Sequence, residues 1–169
     1  VDVPIQLPKC MRCQLKCPGY EVCEEPEIKW LRNHYSKLKK TKSELNIMPY
    51  SERCVEAYIS QNMEEAFHPS QALGSNAAPL TARLFYLQKH IKIDVNEVFT
   101  RLSLWRIGIS LGIQKSYLRH YKHSIDGEEI RAAILKKLIE KDVIFIYSQD
   151  VKSLISNTHA FDAFLCGLT

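Results

Sequence analysis

Apolar positions along the chain fall mostly into the three-and-four spacing of helices. Ile28, Leu31, Tyr35 and Leu38 predict a helix from Pro26 to Leu45, with the proline near its start. Glu52–Asn62 reads as a second helix with Ser51 as its N-cap. A third runs from Pro79 to about His90, with Leu80, Leu84 and Leu87 turned inward and Arg83 on that same face. Leu102–Leu111, Gly127–Glu140 (through Ile130, Ile134, Leu135 and Leu138), Gln149–Ile155 and a closing stretch from Asn157 complete the helical set. Strand-like patterning is rarer. Val1–Leu7 reads as a short strand cut off by Pro4 and Pro8, and alternation from Ile93 to Phe99 predicts another, with Glu97 near its end. Val143–Tyr147 is β-rich but short. His68–Pro79 and Tyr117–Asp126 read as polar loops.

The closing stretch carries the sharpest anomaly. As a helix it puts Thr158, Asp162 and Cys166 on one stripe, with His159 a turn before Asp162, while Ala160, Phe161, Ala163, Phe164, Leu165 and Leu168 make the remainder apolar. A carboxylate in such surroundings is costly without a partner. Asp2, between two valines, is a second carboxylate set against strand propensity; it is either a surface residue or a site residue at a strand end.

Composition narrows the class. A 169-residue chain with 46% hydrophobic and 25% charged residues suits one soluble domain with a sizeable core. A formal charge of +4 is compatible with a nucleic-acid partner. No apolar run is long enough to span a membrane, and no secretory signal opens the chain, so a cytoplasmic location is expected. Beginning on Val1 without Met, in a strand-like segment, the chain reads as lacking upstream sequence.

Cysteine spacing supplies the next candidate. Cys10, Cys13, Cys17 and Cys23 lie within fourteen residues, the first two as a Cys-x-x-Cys pair and the third followed by Pro18-Gly19. Four soft ligands with turns between them suit a structural zinc ion. An iron–sulfur cluster is the rival, and disulfides fit poorly with a reducing compartment. Cys54 and Cys166 read as core thiols. Lys29, Arg32, Lys37, Lys39, Lys40 and Lys42 on the Pro26–Leu45 helix form a basic face, either solvated or, with His34 and Tyr35 interleaved, able to track a phosphate backbone.

Several segments then resemble, in order, those of one bacterial and archaeal family. Val1-Asp2-Val3-Pro4-Ile5-Gln6-Leu7-Pro8 is similar to its Ile-Asp-x-Pro-Leu-x-x-Pro segment. Glu97-Val98-Phe99-Thr100 is similar to its Glu-Val-Tyr-Pro, with Phe99 and Thr100 as departures, and Tyr121-Lys122 to its Tyr-Lys loop. Ala160-Phe161-Asp162-Ala163-Phe164-Leu165-Cys166-Gly167-Leu168-Thr169 is similar to its closing helix. The family is described as predicted nucleases with an RNase H-like fold, related to Holliday-junction resolvases.

The resemblance implies an α/β fold, a helix-rich RNase H-like mixed sheet flanked by helices. It would be a single domain over residues 1–169, N-terminally incomplete, with a four-cysteine knuckle at residues 10–23 inserted after the first strand. It implies a metal-dependent nuclease acting on nucleic-acid phosphodiesters. Asp2, Asp162, His159 and Glu97 would be the catalytic set around Mg²⁺ or Mn²⁺, with Arg53, Arg83 and Lys122 binding substrate phosphate. The first-strand Asp of that superfamily has no counterpart here. The alternative is a non-catalytic nucleic-acid-binding or scaffold protein of the same fold. A homodimer is expected only by analogy with resolvases.

Overall fold

The structure, a computed structural model, describes residues 1–39, 48–65, 67–74 and 77–169. Expectations for Lys40, Lys42 and the helix end at Leu45 lie outside the described residues. The chain divides into two compact units: unit A is Val3–Asn96, and unit B is Val1–Asp2 with Glu97–Thr169.

Unit A opens with the one-turn helix α1 (Lys9–Arg12), followed by α2 (Pro26–Lys39), α3 (Cys54–Asn62) and α4 (Ala78–Gln88). Ile28, Leu31 and Tyr35 of α2 pack on Ala57 of α3 as a buried cluster, against which Cys10, Cys23 and Cys54 rest half-buried. The helical spacing read from the sequence is therefore the spacing of this core. Pro26 opens α2 as expected, but α3 is capped at Arg53, not Ser51: both the Arg53 amide (2.7 Å) and its Nε (2.8 Å) donate to the Glu56 carboxylate. The Ser51 hydroxyl lies instead near the Met48 carbonyl and Gln71.

α4 presents a different face from the one expected. Leu80 is 55% exposed and Leu87 38%, and Arg83 is exposed, so Arg83 is not on a buried side. The buried position is Thr81, whose hydroxyl donates to the Ala72 carbonyl at 2.8 Å. Leucine spacing alone did not identify the inward face, because a threonine that satisfies its own hydroxyl is as easily buried.

Unit B consists of α5 (Thr100–Ser110), α6 (Lys115–His120), α7 (Gly127–Glu140), α8 (Ser148–Ser156) and α9 (Thr158–Leu168). Its core combines Leu104 and Trp105 of α5, Leu118 of α6, Ile134, Leu135 and Leu138 of α7, and Phe161 and Leu165 of α9. α6 occupies part of a stretch read as a polar loop; Leu118, its single buried residue, packs beneath Gly108. α9 begins at an Asn157 cap, whose Oδ1 accepts from the amides of His159 (2.9 Å) and Ala160 (3.1 Å).

The α/β expectation is overturned: among the described residues there is no strand and no sheet, so an RNase H-like mixed sheet does not form here. Residues 93–99 and 143–147 are non-helical, as their β-rich pattern suggests, but neither is paired into a ladder. Alternating apolar residues favour extended backbone; a strand exists only where a neighbour completes its hydrogen bonds. At the start of the Val1–Leu7 segment the Val98 amide donates to the Val1 carbonyl at 2.8 Å, without a ladder forming. No helix among the described residues is long and apolar enough to cross a membrane.

Candidate functional site

In unit B the two carboxylates singled out from opposite ends of the chain join one polar network. The Val98–Val1 bond holds Asp2 at the start of α5. There Asp2 Oδ2 accepts from the Thr100 hydroxyl (2.9 Å) and Oδ1 from the Thr100 amide (3.4 Å). An acid at a helix N-terminus is also favoured by the helix dipole. The Thr100 hydroxyl in turn neighbours that of Tyr121, which donates to Asp162 Oδ1 at 3.1 Å. Lys122 closes the sequence with its Nζ 2.6 Å from Asp162 Oδ2.

Electrostatics follow from burial. Tyr121 is buried, and that burial, with the Asp162 charge adding to it, pushes its phenol far above the ordinary range, so it remains a protonated donor. Cys166, one turn after Asp162, is pushed up by burial and by the nearby Asp2 and Asp162 charges. The stripe of Asp162 and Cys166 read from the sequence thus faces Asp2.

The other expected members take positions or roles different from those expected. The His159 ring is exposed and makes no hydrogen bond or ion pair with Asp162; its amide serves the α9 cap. Glu97 is exposed on the segment leading to α5. Lys122, expected to bind phosphate, is paired with Asp162. In unit A, the Arg53 guanidinium is held against the buried Glu56, as an inner pair rather than a surface one.

Two residues that hold the unit B network were not anticipated. Arg131 is 3% exposed, and it donates from Nη1 to the Tyr121 carbonyl and from Nε to the Ile155 carbonyl, each at 2.7 Å. It fixes the Tyr121–Lys122 turn, and its charge lies at the C-terminal end of α8, where the dipole favours a cation. A signal was available: Arg131 falls in the α7 stripe formed by Gly127, Ile130, Ile134, Leu135 and Leu138. Thr100 carried no such signal.

Unit A holds the cysteines. Cys10, Cys13, Cys17 and Cys23 line one cavity of about 430 Å³ together with Lys9, Lys16, Glu24 and Glu25. All are free thiols; Cys17 is exposed and the others are half-buried. Burial, then the neighbouring Cys23, Cys17 and Cys13, push the Cys10 thiol up. Among the described residues, no three Cys, His, Asp or Glu side chains converge closely enough to hold a metal ion in either unit. Two cations of the α2 basic face serve the knuckle: Arg32 Nη1 donates to the carbonyls of Tyr20, Glu21 and Cys23, and Lys29 pairs with Glu24 at 2.8 Å.

Unit A also buries Glu52, 7% exposed, with the Tyr35 hydroxyl donating to it at 2.5 Å. Burial raises the Glu52 carboxyl, opposed by Tyr35 and His34.

Comparison of the chain with protein-family models, curated proteins and solved structures finds no match.

Proposed function

We propose that unit B carries a phosphodiester-hydrolysing site for nucleic acid, assisted by a divalent cation held at Asp2 and Asp162. The observation that supports this reading is the joining of those two carboxylates, from opposite ends of the chain, through Thr100 and Tyr121 beside the Lys122 ammonium. Hard cations take oxygen donors, and two carboxylates with water completing the shell suit Mg²⁺ or Mn²⁺. Such a cation would polarise the phosphate and lower the pKa of a bound water. Tyr121 donates to and orients Asp162, while Lys122, released from Asp162, binds a phosphate oxygen. Lys115, Arg119 and His120, exposed on α6 directly before Tyr121, add positive charge suited to a polyanion.

The test is incubation of the protein with single-stranded, duplex and branched DNA and RNA plus Mn²⁺. Cleavage that falls by about a hundredfold or more in both Asp2→Asn and Asp162→Asn supports the reading. Cleavage unchanged in both variants overturns it.

A second reading has its own support. Asp2 already caps α5 and Asp162 is already neutralised by Lys122, an arrangement that serves a non-catalytic nucleic-acid-binding module equally well. Salt-sensitive binding without cleavage of any substrate favours that reading.

A further inference from the structure

We infer that Cys10, Cys13, Cys17 and Cys23 of unit A form a structural zinc site whose two limbs are positioned by the protein before the metal binds. The site stands in a different unit from the proposed hydrolysis and does not depend on it. Two observations carry it: the shared cavity and the anchoring of both limbs. All four thiols open onto one cavity, and none is committed to a disulfide.

Both limbs are anchored without metal. Cys10 and Cys13 belong to or flank the single turn of α1, which is tied to the segment opening α2 by Lys9–Glu25 (2.7 Å) and to α2 itself by Arg12–Glu27 (2.8 Å). The limb ending at Cys23 is clamped by Arg32 through three carbonyls. Cys10 and Cys23 also pack on the α2–α3 core, so they are held where tertiary packing puts them. Cys17 is the exposed member, just before the Pro18-Gly19 turn, where Gly19 has φ +93. A side chain is strained at that φ, so glycine shapes the turn. Without metal no three of these sulfurs converge, so binding draws the two anchored limbs together around the ion, with the exposed Cys17 moving in from this turn to complete a tetrahedron.

Four thiols release four protons as they bind Zn²⁺, leaving a site of net charge 2−. Closed by four protein ligands, the ion would have no open position, so its role is to join α1 to the Cys17–Cys23 loop that leads into α2.

The experiment is elemental analysis and native mass spectrometry of the purified protein. About one zinc per chain is expected. Zinc content should fall at least about tenfold in Cys13→Ser and Cys17→Ser and stay unchanged in Cys54→Ser and Cys166→Ser. Should the knuckle variants fail to fold, the wild-type protein decides: titrating its thiols with a mercurial should release zinc into a chromogenic chelator. Cobalt in place of zinc should give the visible bands of a tetrahedral thiolate site. A metal-free protein that takes up no zinc overturns the inference, as does iron with equal inorganic sulfide, or a disulfide among the four.

Discussion

The phenol of Tyr121 and the carboxylate of Asp162, 41 positions apart, meet at 3.1 Å, and Lys122 grips the other oxygen of the same carboxylate at 2.6 Å. A single turn of chain therefore supplies both partners of the α9 acid. Burial, with the Asp162 charge adding to it, holds the Tyr121 phenol protonated at neutral pH, so it serves as the donor to that carboxylate.

Tyr121→Phe separates positioning from charge. It removes a hydrogen bond to a carboxylate while preserving the packing of the ring on Phe161. A loss of about 1–2 kcal/mol in stability is expected by chemical denaturation. If unit B hydrolyses phosphodiesters, the rate should fall less in this variant than in Asp162→Asn, because the cation ligand remains.

Lys122→Ala tests whether the ammonium competes with a cation for Asp162. The pair is only partly buried, with 34% of the lysine side chain exposed, so the stability change should be small, about 0.5–1 kcal/mol. Removing the ammonium should tighten Mn²⁺ binding severalfold in isothermal titration. Unchanged or weaker Mn²⁺ binding would mean that Asp162 is not a ligand.

Arg131→Met addresses the brace behind both residues. The variant keeps most of the aliphatic volume but strips the Tyr121 and Ile155 carbonyls of their donor in a buried setting. A loss of about 3 kcal/mol is expected, because each bond is charge-assisted and both acceptors are left unsatisfied. Gly127→Ala should act on the same joint: a Cβ there would stand 2.9 Å from Arg131 Nη1 and 3.1 Å from the Tyr121 carbonyl. Thermal melting of both variants checks the pair; a Tm unchanged in Arg131→Met would remove the brace from the account.

Helices were legible in the sequence because their apolar positions recur along a single element: Ile28, Leu31 and Tyr35 predicted α2, and Ile130, Ile134, Leu135 and Leu138 predicted α7. The sheet was misread for the complementary reason. Ile93–Phe99 has a strand's alternation, but pairing is decided by what lies beside a segment, which no local pattern encodes. At the site, Asp2 and Asp162 were noticeable because each offended its surroundings. Thr100 and Arg131 were not, since a threonine at a helix start and an arginine in a helix are ordinary until burial gives them partners. His159 shows the converse error: helical spacing placed it near Asp162 along the chain, but the side chain remains in solvent.

Glu52→Gln should reveal a pH-dependent penalty in unit A. Burial is the main cause that raises the Glu52 carboxyl, and the Tyr35 bond and His34 only partly oppose it. A carboxyl whose folded-state pKa lies above its unfolded value binds protons on folding. Its contribution is therefore fully present below the ordinary carboxyl range and is lost as pH rises through the raised folded value. Above that window the wild-type protein must bury the carboxylate with the Tyr35 hydroxyl as its hydrogen-bond donor. Glutamine keeps the shape and still accepts from Tyr35 without a charge. The variant should thus gain on wild type at about pH 7–8, lose that advantage as pH falls toward about 4.5, and show a flatter stability curve between them. Denaturant titrations of both proteins across this range measure the difference, and parallel curves would show that Glu52 is not the group responsible.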